Sequence, residues 1–214
     1  MAILYHNSWL MVQARGYYIF INENEIIKGD IYMKKILMIT GSLRKNSFNR
    51  QLSEMITELI GTRAEVKVLD YSDIPFFNED FENPPLESVL KARQAVIEAD
   101  GIWICTPEYN YNLPGVLKNL LDWLSRPADP DNRKSDSVMK GKPVTIASAA
   151  GNSAGGGVRK QLATLLQILG MKVSGGEGTG TVLNKEMFVS GTLALSDEVI
   201  AALGKQIETF LSEI

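Results

Sequence analysis

Histidine and cysteine are nearly absent from this chain of 214 residues, which has one of each, His6 and Cys105. A single cysteine cannot form an intramolecular disulfide, so a reducing compartment is expected. Cys105 ends the apolar run Ile102-Trp103-Ile104-Cys105 and reads as a small buried hydrophobe. With one histidine, a Ser-His-Asp or Cys-His catalytic arrangement would have to use His6, and a zinc site would be short of ligands. A basic excess is missing too. Twenty-two Lys and Arg against 25 Asp and Glu give a net charge of −3, and the pI of about 5.3 is far from the basic footprint of a nucleic-acid binder. The longest apolar run in the first 32 residues, Tyr17 to Ile21, is too short to span a bilayer, and no basic segment leads into an apolar one as in a signal peptide. Neither nucleic-acid binding nor membrane insertion is expected, and the cytoplasm is the expected location. What the chain does have is 45% hydrophobic residues, enough for one globular domain with a real core.

The most informative stretch is KKILMITGSLRKNSFNR, residues 34 to 50. Ile36 to Ile39 read as a strand buried on both faces, as in a parallel sheet. Gly41 permits a turn, and Ser47 or Asn49 can cap a helix over about Phe48 to Ile60. Free amides at a helix start, the hydroxyls of Ser42 and Ser47, and Arg44 nearby suit a phosphate. The loop has one glycine, so it is neither a nucleoside-triphosphate loop nor a Rossmann dinucleotide fingerprint.

Residues 1 to 32 look unlike the rest. Met33 directly precedes the first strand, and codons for Lys28-Gly29-Asp30 could spell a ribosome-binding site upstream of it. The segment is read as an over-extended reading frame or a loose tail, with residues 33–214 forming the domain. After the first helix, Glu65 to Leu69 alternates as a second strand, and Tyr71 to Pro85 is an acidic, aromatic and proline-rich loop. Leu86 to Ala99 reads as a helix, Ile102 to Thr106 as a third strand. A second polar loop follows, Pro107 to Gly115, whose prolines are stiff and whose tyrosines offer flat faces suited to a planar heteroaromatic ring. A helix is expected from about Val116 to Leu124. Pro143 to Ala147 reads as the fourth strand, Ser148 to Gly157 as a small-residue loop that lets a ligand approach the backbone, and Met171 to Ser174 as a fifth strand. Residues 175 to 195 read as irregular, and Ser196 to Leu211 as the closing helix.

Strands alternating with helices imply a parallel α/β sheet whose ligand sits beyond the strand carboxyl ends. A loop for phosphate, one for a flat ring and one for close backbone approach, all at one edge, suggest a mononucleotide, with FMN the leading choice.

GSLRKNSFNR at 41 to 50, PEYNYNLPGVLKNLLDWLSRP at 107 to 127 and the small-residue loop from Ser148 together resemble the NAD(P)H-dependent FMN reductases of flavodoxin-like fold, and most of all their chromate and quinone reductase branch. The likeness covers about Met33 to Ile214. It implies a three-layer sandwich around a five-stranded parallel sheet of order 2-1-3-4-5. It also implies that Ser42, Arg44, Ser47, Phe48 and Asn49 hold the FMN phosphate. Pro107, Glu108, Tyr109, Asn110 and Tyr111 would line the ribityl chain and isoalloxazine, with Ser148, Ala149 and Gly151 on the far side of the ring. For Glu108 the backbone is a better contact than the carboxylate. NADPH or NADH would be the electron donor and a quinone or related small molecule the acceptor, in a ping-pong scheme that needs no catalytic side chain. Relatives of this kind are homodimers or homotetramers. A flavodoxin-type electron carrier and a reductase that releases reduced FMN are the alternatives.

Overall fold

The structure is a computed structural model that describes residues 2–5, 9–14, 17–22, 25–28, 32–129 and 131–214. The chain divides into two compact units, Met1–Met33 and Lys34–Ile214. The first holds strands β1 (Ala2–Tyr5), β2 (Trp9–Ala14), β3 (Tyr17–Asn22) and β4 (Glu25–Lys28), paired in sequence order as an antiparallel meander.

The second unit is built on β5 (Lys35–Thr40), β6 (Glu65–Val68), β7 (Gly101–Cys105) and β8 (Pro143–Ala150), with the short β9 (Lys172–Val173) and β10 (Thr179–Val182). All pair in parallel, in the order β6-β5-β7-β8 and then β10, with β9 also on β8. Counted within this unit, the order is 2-1-3-4 followed by a fifth position, as the flavodoxin-like reading requires. That fifth position is divided between two strands. β9 pairs with Pro143 and Val144, and β10 with Ala147 to Ala150. Gly175, Gly176 and Gly178 separate the two with positive φ. Gln206 fills the break, its Nε2 donating to Thr145 Oγ1 at 2.6 Å and to the Ile146 carbonyl at 2.9 Å.

Alternate residues of the central strands face opposite layers, so each strand feeds two cores. Leu37, Ile39, Ile102, Ile104, Val144 and Ile146 pack against α2 (Glu87–Glu98), α3 (Gly115–Leu124) and α4 (Gly156–Ile168). Ile36, Met38, Trp103, Cys105 and Ala147 pack against α1 (Phe48–Ile60) and the last helix, α6 (Asp197–Glu213). A short α5 (Lys185–Ser190) precedes α6. The chain leaves β5 toward the α1 layer and leaves β7 toward the α3 layer, which opens a crevice beyond their carboxyl ends.

Two sequence expectations change. β8 runs on through Ser148, Ala149 and Ala150, so the small-residue loop begins only at Gly151. β10 and α5 occupy a stretch read as irregular, because β10 is too short and glycine-flanked to show a period. The second-unit loops start where expected otherwise, and α1 spans Phe48 to Ile60 with Ser47 as its cap.

Candidate functional site

Loop 41–47 joins β5 to α1. Gly41 is required there by close packing, since a Cβ on it would lie 2.6 Å from Thr106 Oγ1. Ser47 caps α1, its Oγ accepting from Arg50 N at 3.1 Å, and Ser42 Oγ accepts from Arg44 N at 3.4 Å. Among the described residues, the amides of Leu43, Lys45, Asn46, Phe48 and Asn49 meet no acceptor. The first amides of a helix have no partner within it, and the positive end of the helix dipole lies beside them. Arg44 stands over the Phe48 ring, 5.8 Å from its centroid, and neither Arg44 nor Lys45 forms an ion pair among the described residues. Free donors with unneutralised cations fit a phosphate.

Two side chains join the three loops. Asn49, buried on α1, donates from Nδ2 to the Ala149 carbonyl at 2.8 Å and accepts from Ala149 N at 2.9 Å. Each of its side-chain polar atoms thereby makes one bond to Ala149, so the side chain anchors β8 while it lines the cleft. Glu108 accepts from Ser153 Oγ and from Val158 N, each at 2.7 Å. Its carboxylate therefore sits on the N-terminus of α4, where a negative charge is favoured, and a Cβ at Gly157 would fall 2.8 Å from it.

These loops enclose one cleft of about 420 Å³, within the range of small-ligand sites. Ser42, Arg44, Ser47, Phe48 and Asn49 line it from the first loop, Pro107, Glu108 and Tyr109 from the second, and Ala149 and Gly151 from the third. Three expected residues lie outside that lining. Ser148 is fully buried and donates to the Thr106 carbonyl at 2.6 Å. Asn110 and Tyr111 form the tip of a tight turn closed by paired bonds between Tyr109 and Asn112. Both have positive φ, 52° and 60°, the signature of a type I′ hairpin turn.

Ala150, Leu183, Phe188 and Gly191 also line the cleft and were not anticipated. Phe188 on α5 meets the Phe48 ring edge-on, centroids 5.6 Å apart. Gln51 of α1 holds the far end of this lip, with Nε2 donating to the Gly191 carbonyl at 2.9 Å and Oε1 accepting from Leu193 N at 2.7 Å. A signal for α5 existed. Asn184 caps it, accepting from Met187 N, and Gly191 ends it with a φ of 70°. Free amides with Arg44 at one end and a wall of mostly apolar or small side chains fit FMN, in which a ribityl chain joins a phosphate to a planar ring.

The chain matches the family model described as NADPH-dependent FMN reductase over residues 34–179. A 2-hydroxy-1,4-benzoquinone reductase from a Burkholderia species is 39% identical over 112 residues, which are 52% of this chain and 58% of that protein. A quinone reductase from Escherichia coli is 32% identical over 163 residues, 74% of this chain and 78% of that protein. The matched stretch spans about three fifths of the length of the first curated relatives, 58% to 62%. Among solved structures, a flavoenzyme NAD(P)H:(acceptor) oxidoreductase from Paracoccus denitrificans superimposes with a TM-score of 0.72 at 25% identity, covering 84% of this chain and 96% of that one. An archaeal flavodoxin at 16% identity, with a TM-score of 0.51 over 84% of this chain and 95% of its own, shares the fold alone. The match over most of the second unit and the coverage of the Escherichia coli protein lead to one conclusion: the chain belongs to the NADPH-dependent FMN reductase family.

Proposed function

We propose that the chain is an FMN-dependent NAD(P)H oxidoreductase that passes electrons to quinones or related small acceptors. The observation that carries this reading is the cleft in which unpartnered amides at the start of α1 adjoin an apolar, small-residue wall. When bound, FMN supplies two-electron exchange with the nicotinamide and with the acceptor. The protein's part is binding and orientation. Arg44, Ser42, Ser47 and the loop amides hold the phosphate. Phe48, Leu183, Phe188 and Pro107 keep the ring region apolar, and Ala149, Ala150 and Gly151 put no long side chain in its way. Asn49 and Glu108 fix the distance between the three loops, so that the site is formed before the ligand arrives. Nicotinamide and acceptor then share one opening in turn, which is ping-pong kinetics.

The relatives named quinone reductase support the acceptor class. Exposed Tyr109, Tyr111, Phe188 and Val189 support association of copies as a homodimer or homotetramer. Among the described residues no helix is long and apolar enough to cross a membrane, in keeping with a cytoplasmic enzyme. All of the lining lies within the second unit, and we assign flavin binding to that unit without residues 1–32. The full chain and a chain starting at Met33, each reconstituted with FMN and passed through gel filtration, are expected to elute yellow with equal flavin content. Colourless protein in both cases contradicts the functional reading, and loss of flavin in the shorter chain alone contradicts the assignment to one unit.

A further inference from the structure

A second cleft, of about 390 Å³, shares no lining residue with the first. Its walls come from Glu79 to Asn83, from Arg93 on α2, and from Arg126 and Arg133 beyond α3. Arg93 is the unusual member. It is 7% exposed, and a guanidinium carries five N–H donors and stays charged. Among the described residues it makes one hydrogen bond, from Nη2 to the Trp123 carbonyl at 3.4 Å, and its buried Nε finds no acceptor. Burial lowers the Arg93 pKa, with Glu82 opposing and Arg126 adding to that shift.

The nearby carboxylates do not satisfy it. Glu82 is gripped by Arg126, Nε on Oε1 and Nη2 on Oε2 at 3.2 Å, and Glu79 lies 3.7 Å from the same Arg126. Glu79 and Asp80 are exposed. Among the described residues, neither Arg93 nor Arg133 forms an ion pair. A buried guanidinium whose Nε lacks an acceptor and whose one hydrogen bond is long is costly, and a planar or tetrahedral oxyanion matches a guanidinium in bidentate fashion.

We propose that this second cleft binds a compact oxyanion, a carboxylate or a phosphate, through the Arg93 fork with Arg133 as the second cation. The three carboxylates beside the three guanidiniums leave the cleft without net charge. Recognition therefore rests on hydrogen bonding to the buried fork, and a small anion is taken in preference to a polyanion.

The test is titration calorimetry on the FMN-saturated full chain at low ionic strength, with inorganic phosphate in one series and malonate in another. Flavin absorbance is followed to show that the first site stays filled. Saturable binding of at least one anion is expected, and which of the two binds identifies the source of the oxyanion. Arg93→Lys keeps a charge but loses the fork, and it is expected to weaken that binding by about tenfold. Arg133→Ala, at an exposed position where folding is not at risk, is expected to weaken it as well. No saturable heat from either anion overturns the proposal. So does binding of equal strength in both the Arg93→Lys and the Arg133→Ala proteins.

Discussion

At the scale of single residues, the site depends on side chains that a ligand need not touch. Asn49 supplies both a donor and an acceptor to Ala149. Asn49→Ala leaves a buried N–H and a buried carbonyl without partners, and it is expected to cost about 3 kcal/mol in urea unfolding and to weaken FMN binding. Unchanged stability would show that the bridge between α1 and β8 is dispensable. Cys105 illustrates the opposite case, a reactive group made inert. It is fully buried, 3.9 Å from the Met38 sulfur, and burial pushes its thiol pKa well above the ordinary 9.0. Below pH 9.0 both folded and unfolded chains keep the proton. Above it the unfolded chain loses the proton while the folded one does not, so stability falls as pH rises, by up to about 1.4 kcal/mol per pH unit. Cys105→Ala is expected to flatten the part of the alkaline decline that begins near this value. Parallel declines in the two proteins would sink the assignment.

At the scale of elements, the turn over Tyr109 to Asn112 stores strain. Tyr111 holds a φ of 60° while 76% exposed, a conformation that costs a side-chain-bearing residue about 1 kcal/mol. Tyr111→Gly, which completes the Asn-Gly pair favoured by such turns, is expected to raise the melting temperature by a few degrees, whereas Tyr111→Ala, still bearing a Cβ, is not. A lower melting temperature in both variants would mean that the tyrosine ring stabilises more than its backbone strains. Elements also mark where the sequence was legible. β5, β7 and β8 are buried runs, and α1 has both an N-cap and a clear apolar face, so each announces itself locally. The residues of the loop proposed to hold phosphate, Ser42, Arg44 and Ser47, lie within a few positions of one helix start, so their grouping was legible locally. The α5 lip was not. It has six residues, its packing on Phe48 is long-range, and the cap pair Asn184 and Gly191 was overshadowed by the glycines before it. The anchoring duty of Asn49 was hidden too, since its partner is 100 residues away.

At the scale of the whole molecule, the parallel sheet gathers residues from 42 to 191 into one cleft at the point where connections leave to opposite layers. The chain belongs to the NADPH-dependent FMN reductase family and has a flavodoxin-like sheet, and the proposed flavin chemistry with a nicotinamide donor is open to a direct test. The most direct measurement is the flavin absorbance of FMN-reconstituted protein under anaerobic conditions, with NADPH and NADH added separately and benzoquinone added afterwards. Loss of the flavin band with at least one nucleotide, followed by its return with the quinone, is the expected result. A flavin band that neither nucleotide bleaches would contradict the account and leave an electron carrier in its place.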